Sequence, residues 1–529
     1  MDKKQQSQNF LQGALILSAA TALVKIIGAV FKIPLGNLIL GDEGMAYFST
    51  AYQIYSVLFV AATAGLPVAI SKMVSEAEAR GRYNEGYRTF RVAFGAFFVI
   101  GAAGTALMVL LSRQLADMMN RPEARWSIVA IAPAMFFVSV VSSYRGFNHG
   151  KRNMLPTAYS QVFEAFGKLV IGIALSYWIM RTTGNLIYAA AGAIGGVSFG
   201  TVLSAVYMVL ASRGLKPKEP DPVPMRPRGV ILGRLLKIAV PIMISSSVLS
   251  LTNLIDAAQI NGLLESAAGF TGQEAAKLYG AYTFAQNMFN LPPAFILTIS
   301  ISVIPAIAAA MARGDKKGAG GTITASLKMA MLLALPAAAG MMALSGPILR
   351  MLYSNQPAAA AVAGPLLASL SWSIPFVCLV SVTTAILQSL GRVYTPILTM
   401  ALGGAVKVIL NNILVRNPDI HINGAPVGTL ACYLLISVLN IAIIMVIARP
   451  PKLIISFVKP AAAAVLMGAA VRAAQVALLP ITGNTISTAV AVICGVILYI
   501  VLVLALRILS HNDALLLPKG EKIARIIKS

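Results

Sequence analysis

The feature that most constrains this chain is a succession of apolar runs of about 20 residues, separated by short polar loops. A helical run of that length matches the thickness of the hydrocarbon core of a bilayer. Because the bilayer core offers no water to backbone amides, a helix bundle is the architecture that satisfies them there. Of the 529 residues, 58% are hydrophobic and only 11% are charged, which excludes an ordinary soluble domain. The sequence therefore predicts an all-α polytopic membrane protein.

The apolar runs divide the chain into about 14 predicted transmembrane helices, an even number that leaves both termini on one side. Most Lys and Arg residues fall in the loops of that side, so the positive-inside rule predicts cytoplasmic termini. The predicted spans are 10–39, 45–71, 90–112, 127–145, 156–180, 186–212, 232–261, 275–312, 322–347, 360–390, 394–415, 426–448, 453–475 and 484–508.

The formal net charge of +24 follows this loop pattern, so we interpret it as a topology signal and predict no nucleic-acid partner. Attraction to anionic membrane lipids is its secondary effect. The three cysteines, Cys378, Cys432 and Cys494, fall in separate predicted spans. That spacing indicates neither a disulfide framework nor a zinc site.

Two lysines interrupt the first predicted span. Lys25 and Lys32 lie in ALVKIIGAVFKIPLGN, residues 22–37. Their spacing is almost two helical turns, so both lie on one helix face, about 10 Å apart along the axis. A lysine near the bilayer centre costs roughly 2.5–3.5 kcal/mol, and such residues usually face a polar cavity. We therefore predict that this face lines water or an anion. The alternative is that the two side chains reach opposite headgroup layers.

A second charged face is predicted on the fifth span. Glu164 and Lys168 are one helical turn apart, a spacing that allows an ion pair. We expect this face to meet the first helix across a central cavity. Asp256 in the seventh span and Asn287 in the eighth add polar groups at membrane depth. For the amides, hydrogen bonding between helices explains the position as well as ligand contact does.

The second half of the chain repeats features of the first at a separation of about 240 residues. LPVA at 66–69 recurs as IPAI at 304–307, and Lys168 recurs as Lys407. This repetition predicts two pseudo-symmetric six-helix lobes plus two C-terminal helices, with the substrate site at the pseudo-two-fold axis. A Pro-rich, charged stretch separates the lobes. The predicted organisation is an N-lobe at 1–212, a cytoplasmic linker at 213–231, a C-lobe at 232–448, two further helices at 449–510 and a cytoplasmic tail at 511–529.

Two segments carry a resemblance to a known family. These are RGFNHGKRNMLPTAYSQVFE, residues 145–164, and TALVKIIGAVFKIPLGN, residues 21–37. With the paired lobes, they resemble the multidrug/oligosaccharidyl-lipid/polysaccharide (MOP) exporter superfamily, and within it the branch that contains stage V sporulation protein B and the MurJ lipid II flippases. The resemblance covers nearly the whole chain.

The resemblance implies roles for particular residues. In the MurJ branch, cationic residues on the first, second and eighth helices are taken to hold the pyrophosphate and sugar headgroup. Two additional C-terminal helices are taken to form a groove for the lipid tail. Lys25 matches the first of the family's first-helix arginines, and Lys32 lies near the second without aligning cleanly. The second helix has Tyr52 and Tyr55 at depth in place of a basic residue, and Asn287 stands where Gram-negative members have arginine.

On this basis we predict a flippase that moves a lipid-linked oligosaccharide, with lipid II preferred, across the bacterial cytoplasmic membrane by alternating access. The partners are the lipid-linked anionic glycan and membrane lipids, and we expect a monomer. No cofactor is expected; the driving force is left open between a sodium or proton ion and the membrane potential, and a metal site is left open. The predicted substrate-binding residues are Lys25, Lys32, Lys168, Lys407 and Asn287, and the predicted coupling or gating residues are Glu164 and Asp256.

Three other functions compete with this prediction. A flippase for another polyprenyl-linked polysaccharide is barely separable by sequence. A cation-coupled multidrug antiporter needs acids inside the membrane, and only Glu164 and Asp256 qualify against a larger number of deep lysines. A non-transporting scaffold predicts no continuous polar path through both lobes. Enzymatic catalysis is not predicted, since no Ser/His/Asp or Cys/His grouping and no phosphate-binding loop occurs in the sequence.

Overall fold

A computed structural model describes residues 16–17, 20–21, 23–24, 27–28, 30–151, 153–213, 226–296, 307, 315–392, 394–451, 453 and 455–508. These residues form helices joined by turns and short connections, and no strand occurs among them. The all-α prediction is confirmed. Lys25, most of the predicted linker and the predicted tail at 511–529 lie outside the described residues.

The chain divides by packing into two compact units, Met1–Gly280 and Ala281–Ser529. A π-helix at Leu35–Leu40 precedes the α-helices of the first unit. These are α1 (Gly41–Ala79), α2 (Tyr83–Leu110), α3 (Ser112–Met118), α4 (Arg125–Gly150), α5 (Leu155–Thr183), α6 (Leu186–Ala211) and α7 (Arg228–Ser266). Helix α8 (Gly272–Phe289) contains the boundary between the two units.

The second unit contains seven further α-helices in the described part of the chain. They are α9 (Lys316–Ala343), α10 (Ser345–Leu352), α11 (Pro357–Ser371), α12 (Ile374–Ser389), α13 (Thr395–Leu414), α14 (Gly424–Ala448) and α15 (Ile455–Ala505). In the described part of the chain, nine helices are long and apolar enough to cross a membrane, or up to ten if the bent pair α11 and α12 forms one span. The chain is a multi-pass membrane protein, and the count of about 14 spans stays a prediction.

One predicted boundary is wrong, at the polar stretch that follows the first span. The limits of the first two predicted spans place the stretch at 41–44 in a loop, but α1 begins at Gly41. The φ of Gly41 is 62°, so the chain changes direction at this one residue between the π-helix and α1. Asp42 and Glu43 then occupy the first turn of α1, where carboxylates interact favourably with the helix dipole. The last two predicted spans, in contrast, correspond to the two helices of α15, which meet at the non-helical residue Gly483 with a φ of 71°.

Helices α5 and α6 pack through glycines. A side chain at Gly196 would overlap the backbone of Gly172, and one at Gly200 would overlap the carbonyl of Glu164. The Ser176 hydroxyl also donates to the Ala189 carbonyl oxygen at 2.9 Å. Small residues allow this close approach of membrane helices, where packing rather than the hydrophobic effect drives association. The packing fixes α5, which carries Glu164 and Lys168.

Helix α7 packs against the first unit and is held to it near both ends. Near its start, Arg234 donates to Glu76 at the end of α1 at 2.6 Å. Near its end, Arg121 forms an ion pair with Glu265 and donates to Asn261 Oδ1 at 3.2 Å. The Arg121 side chain is only 2% exposed, and a buried cation of this kind needs such partners. By packing, α7 therefore belongs with the first unit, and the lobe boundary predicted at the linker stays a prediction.

The second unit has its own core. Helices α9 and α15 share an apolar cluster that includes Met329, Met467 and Val471. Within this cluster, the Tyr499 hydroxyl of α15 donates a hydrogen bond to the Leu332 carbonyl oxygen of α9 at 3.0 Å.

Helices α12, α13 and α14 are joined by buried side-chain hydrogen bonds. The Thr399 hydroxyl donates to Asn440 Oδ1 at 2.8 Å, and Asn440 Nδ2 donates to the Thr383 hydroxyl at 3.1 Å. Polar side chains of this type link helices inside a membrane bundle, where each contributes roughly 0.6 kcal/mol on average.

We expect Gly196→Ala to destabilise the protein, because its new methyl group would overlap the backbone of α5 at Gly172. Overpacking of this kind typically costs about 1–3 kcal/mol. Gly195→Ala is the matched control, since the methyl group added there would meet Ala130 at an ordinary 3.9 Å. Thermal unfolding of the two variants in detergent tests the packing. Equal unfolding temperatures for the two would contradict it.

Candidate substrate site in the first unit

Two of the predicted lysines converge on one aromatic ring. Lys32 lies in the helical segment that precedes the π-helix, Lys168 lies on α5, and Tyr52 lies on α1. The Lys32 Nζ atom is 5.5 Å from the centroid of the Tyr52 ring, and the Lys168 Nζ atom is 5.8 Å from it. Lys168 is also 5.2 Å from the centroid of the Phe31 ring. The fold therefore brings together positive side chains from two helices that are far apart in sequence.

Lys168 meets the first helix at a small residue. A side-chain carbon placed on Gly28 would be 4.0 Å from the Lys168 Nζ atom. The first helix also contacts α5 seven residues earlier on each helix, about two turns away, where the Thr21 hydroxyl lies 3.1 Å from Gln161 Oε1. The absence of a side chain at Gly28 gives the ammonium group room beside the helix.

The repulsion between the two ammonium groups can be compared with the attraction of each to the aromatic rings. The two ammonium groups lie within 5.5 and 5.8 Å of one centroid, so they are at most about 11 Å apart. At that distance and an effective dielectric constant of about 20, two unit charges repel by about 1.5 kcal/mol. Each cation–π contact contributes about 0.5–2 kcal/mol. Contacts with Tyr52 and Phe31 are therefore comparable in size to the repulsion at this separation.

Glu164 has a different ion-pair partner from the predicted one. Its carboxylate accepts from Arg145 Nη2 on α4 at 3.0 Å, and not from Lys168 one turn away on its own helix. Arg145 also donates to Ser160 Oγ at 3.0 Å and to Ser204 Oγ at 3.4 Å. The guanidinium group has several donors in a fixed plane, so it can satisfy α5 and α6 together. The Lys168 side chain instead lies over the aromatic rings.

Helix α1 has buried hydroxyl groups within three residues of Tyr52. Among the described residues, the hydroxyls of Ser49, Thr50 and Tyr55 are buried and have no hydrogen-bond partner. Tyr55 lies one turn from Tyr52, and their ring centroids are 6.1 Å apart. Buried polar groups without partners are uncommon in folded proteins. These hydroxyls are therefore donors that a ligand or a second conformation could use.

The other predicted site residues lie elsewhere. Asp256 is buried on α7 in the first unit. Lys407 is buried on α13 in the second unit. Asn287, also in the second unit, donates from Nδ2 to the Tyr353 hydroxyl at 3.5 Å, and the Tyr353 ring stacks on Phe284 with centroids 3.9 Å apart. In the described part of the chain, no group of three or more His, Cys, Asp or Glu side chains could hold a metal ion.

Comparison with known proteins places this geometry in a family. The model of the family described as "Polysaccharide biosynthesis protein" matches residues 10–311, more than half of the chain. The chain belongs to this family. The MatE family model matches residues 241–413 as well.

Curated relatives from Bacillus subtilis (strain 168) cover most of the chain. The uncharacterized membrane protein YabM is 28% identical over 98% of this chain and 96% of its own length. Lipid II flippase MurJ is 24% identical over 78% of each chain. Stage V sporulation protein B is 25% identical over 82% of this chain and 83% of its own length. These matches place this polysaccharide biosynthesis family member in the MurJ-like branch of the MOP superfamily.

Solved structures show the same fold. MurJ in an inward closed conformation superposes with a TM-score of 0.69 at 14% identity, over 92% of this chain and 98% of that one. An inward-facing multidrug transporter of the MATE family superposes with a TM-score of 0.65 at 14% identity, over 83% of this chain and 99% of that one. The chain therefore has the fold of a membrane transporter, and the MurJ and MATE proteins that it resembles are named as a flippase and a transporter and not as enzymes.

Sequence reasoning missed two residues of this site. Arg145 has no predicted role beyond its place in the segment at 145–164, because its partner Glu164 lies on another helix. Tyr52 was noticed only as a substitute for a basic residue. The available signal was the spacing of Phe48, Tyr52, Tyr55 and Phe59, which places four aromatic rings along one face of α1. In the structure, the Phe48 and Tyr52 rings are nearly parallel, with centroids 6.2 Å apart.

We expect Arg145 and Glu164 to be energetically coupled, because truncating either one leaves a largely buried charge without its partner. Arg145→Ala and Glu164→Ala should each lower stability by about 1–3 kcal/mol, and the double variant by less than their sum. Unfolding of the three variants in detergent gives the coupling free energy.

The ion pair of Arg113 with Asp117 is the control, since its side chains are 79% and 51% exposed. A pair so exposed should show little coupling. Additive effects of Arg145→Ala and Glu164→Ala would contradict the assigned partnership.

Proposed function

We propose that this protein is a flippase that moves a polyprenyl-diphosphate-linked oligosaccharide, with lipid II as the preferred substrate, out of the cytoplasmic leaflet. It would work as a monomer in the bacterial cytoplasmic membrane, with both termini in the cytoplasm. Lys32 and Lys168 would contact the diphosphate. Lys25, Lys407 and Asn287 are proposed as further contacts at other stages of transport.

The convergence of Lys32 and Lys168 on the Tyr52 ring is the observation that carries this proposal. Two opposite unit charges 4 Å apart attract each other by about 1 kcal/mol in water. The attraction is several-fold stronger where the effective dielectric constant is near 20. Ammonium groups bind phosphate oxygens as point charges, without the fixed geometry that arginine would impose. A site of this type suits a diphosphate that must also be released.

The relatives support the substrate class. The family description concerns polysaccharide biosynthesis, and one relative covering most of the chain is named as a lipid II flippase. An inside-negative potential would favour outward movement of an anion by roughly 2.3 kcal/mol per charge per 100 mV. The potential is therefore our preferred driving force. Glu164 and Asp256 remain proposed coupling residues for a sodium or proton ion.

The charges of the site give little support to the competing function, a cation-coupled multidrug antiporter. A carboxylate that exchanges sodium or protons has to change its charge partner during the cycle. Glu164 accepts from Arg145, which already compensates its charge, whereas the groups that converge on the Tyr52 ring in the same unit are two ammonium groups. That sign matches an anionic substrate and opposes a cationic drug. Transport of a different polyprenyl-linked glycan is an outcome of the test below.

We expect Lys32→Ala and Lys168→Ala each to lower flipping of fluorescent lipid II in proteoliposomes at least about tenfold, because each leaves a buried anion with one cation fewer. Lys25→Ala should do the same, whereas Lys25→Arg should retain transport. Flipping is measured on variants matched for expression and unfolding temperature.

Lys459→Ala is the control, since that exposed ammonium group lies near the Leu506 carbonyl oxygen, far along the chain in the second unit. It should flip like the unmodified protein. Unchanged flipping by the Lys32→Ala, Lys168→Ala double variant would overturn the proposed site. Flipping of another polyprenyl-diphosphate glycan in preference to lipid II would retain the site and replace the substrate.

A further inference from the structure

The ring of Tyr52 contacts both lysines of the proposed site, although those lysines come from different helices. Lys32 Nζ is 5.5 Å from the ring centroid, and Lys168 Nζ is 5.8 Å from it. The face of an aromatic ring carries negative charge density, so one ring can attract more than one ammonium group. Nothing in the family match or in the relatives' names assigns a role to this tyrosine.

The ring itself is held by its neighbours on α1. Phe48, four residues earlier, stacks on Tyr52 with an interplanar angle of 8°. Tyr55, three residues later, packs against it with a tilt of 53°. Phe48 and Tyr55 are buried, and both spacings place their side chains on the same helix face as Tyr52. The Tyr52 ring therefore has a fixed position against which two flexible lysine side chains can be ordered.

The distance between the two ammonium groups limits the anion that both can hold. They are at most about 11 Å apart, since both lie within 6 Å of one centroid. Two charge-assisted hydrogen bonds of about 2.8 Å each take up roughly half of that distance. The remainder is therefore at most about 5 Å, which admits a group no wider than one diphosphate. It does not fit anionic groups separated by a sugar chain.

We propose that Tyr52 is a positioning residue whose ring holds Lys32 and Lys168 as the two cations of a single diphosphate subsite. This inference rests on the proposed function and adds to it the part of the substrate that these two lysines contact. The ring, and not the hydroxyl group, supplies the attraction. The two lysines act on one diphosphate together and not on separate parts of the ligand.

The test compares two substitutions of Tyr52 in the full-length protein in detergent, with inorganic diphosphate as the probe and calorimetry as the measurement. Tyr52→Phe retains the ring, so diphosphate affinity should stay within about twofold. Tyr52→Leu removes the ring, so affinity should fall about tenfold. Inorganic phosphate, which can engage one lysine at a time, should lose less affinity than diphosphate.

Phe59→Leu is the matched control, because Phe59 belongs to the same row of rings on α1 and contacts Tyr55, with centroids 5.6 Å apart. It should leave diphosphate affinity unchanged. Unfolding temperatures of all variants separate loss of binding from loss of structure. If Tyr52→Leu fails to fold, Tyr52→Met replaces it as a ring-free variant of similar volume.

A combined variant separates positioning from general packing. In the Lys32→Ala, Lys168→Ala background, Tyr52→Leu should cause no further loss of diphosphate affinity, since the ring acts through the lysines. A loss of the same size in both backgrounds would overturn the inference. So would unchanged affinity in Tyr52→Leu, or no measurable binding of diphosphate by the unmodified protein.

The outcomes also distinguish this inference from the proposed function. If diphosphate binding depends on Tyr52 and both lysines but no lipid-linked glycan is flipped, the subsite stands and the flippase function fails. If lipid II flipping depends on both lysines while Tyr52→Leu flips normally, the flippase function stands and the role of the ring is refuted.

Discussion

The cost of keeping positive charges inside an apolar helix bundle governs the first unit of this protein. A lone ammonium or guanidinium group at membrane depth is expensive, and its cost falls only when nearby groups share its charge. The structure meets this requirement in two ways. Lys32 and Lys168 lie over aromatic rings, whereas Arg145 faces Glu164, which compensates its charge. Aromatic rings therefore contact the lysines of the site, and a carboxylate compensates the charge of its arginine.

Helix packing decides where those charges lie. Gly172, Gly196 and Gly200 let α5 and α6 approach until their backbones are in contact. That contact sets the rotation of α5, and the rotation turns Lys168 toward Gly28 and Phe31 on the first helix. The glycines that hold two helices together thus determine the position of a lysine on one of them. A change in the packing of α5 against α6 would therefore also move the charge of Lys168.

Helix α7 shows how the fold can combine firm attachment with movement. It is fastened to the first unit near both ends, by Arg234 with Glu76 and by Arg121 with Glu265. Movement of α7 away from α1 requires both ion pairs to break or to exchange partners. The ion pair of Arg121 is the more costly of the two to break, because the Arg121 side chain is almost fully buried and also donates to Asn261. A transport cycle that moves α7 must provide new partners for this arginine.

The sequence by itself determined the class of protein and most of the helices. Runs of about 20 apolar residues have few solutions in a bilayer, so helices such as α4, α6 and α14 begin and end within a few residues of their predicted limits. Residue spacing also identified Lys32 and Lys168 as unusual, because a charge in an apolar run is visible without any tertiary information.

Only the tertiary structure decided which side chains meet. Spacing along α5 predicted an ion pair of Glu164 with Lys168, yet Arg145 on α4 is the partner, because contacts between helices depend on their rotation and approach. The acidic stretch at 41–44 was predicted to be a loop, but one glycine with positive φ is enough to turn the chain. Tyr52 acquires a candidate role only where two helices bring lysines to its ring. The local pattern of apolar residues determines where the helices lie in the sequence. The packing of those helices against one another determines which side chains meet at the site.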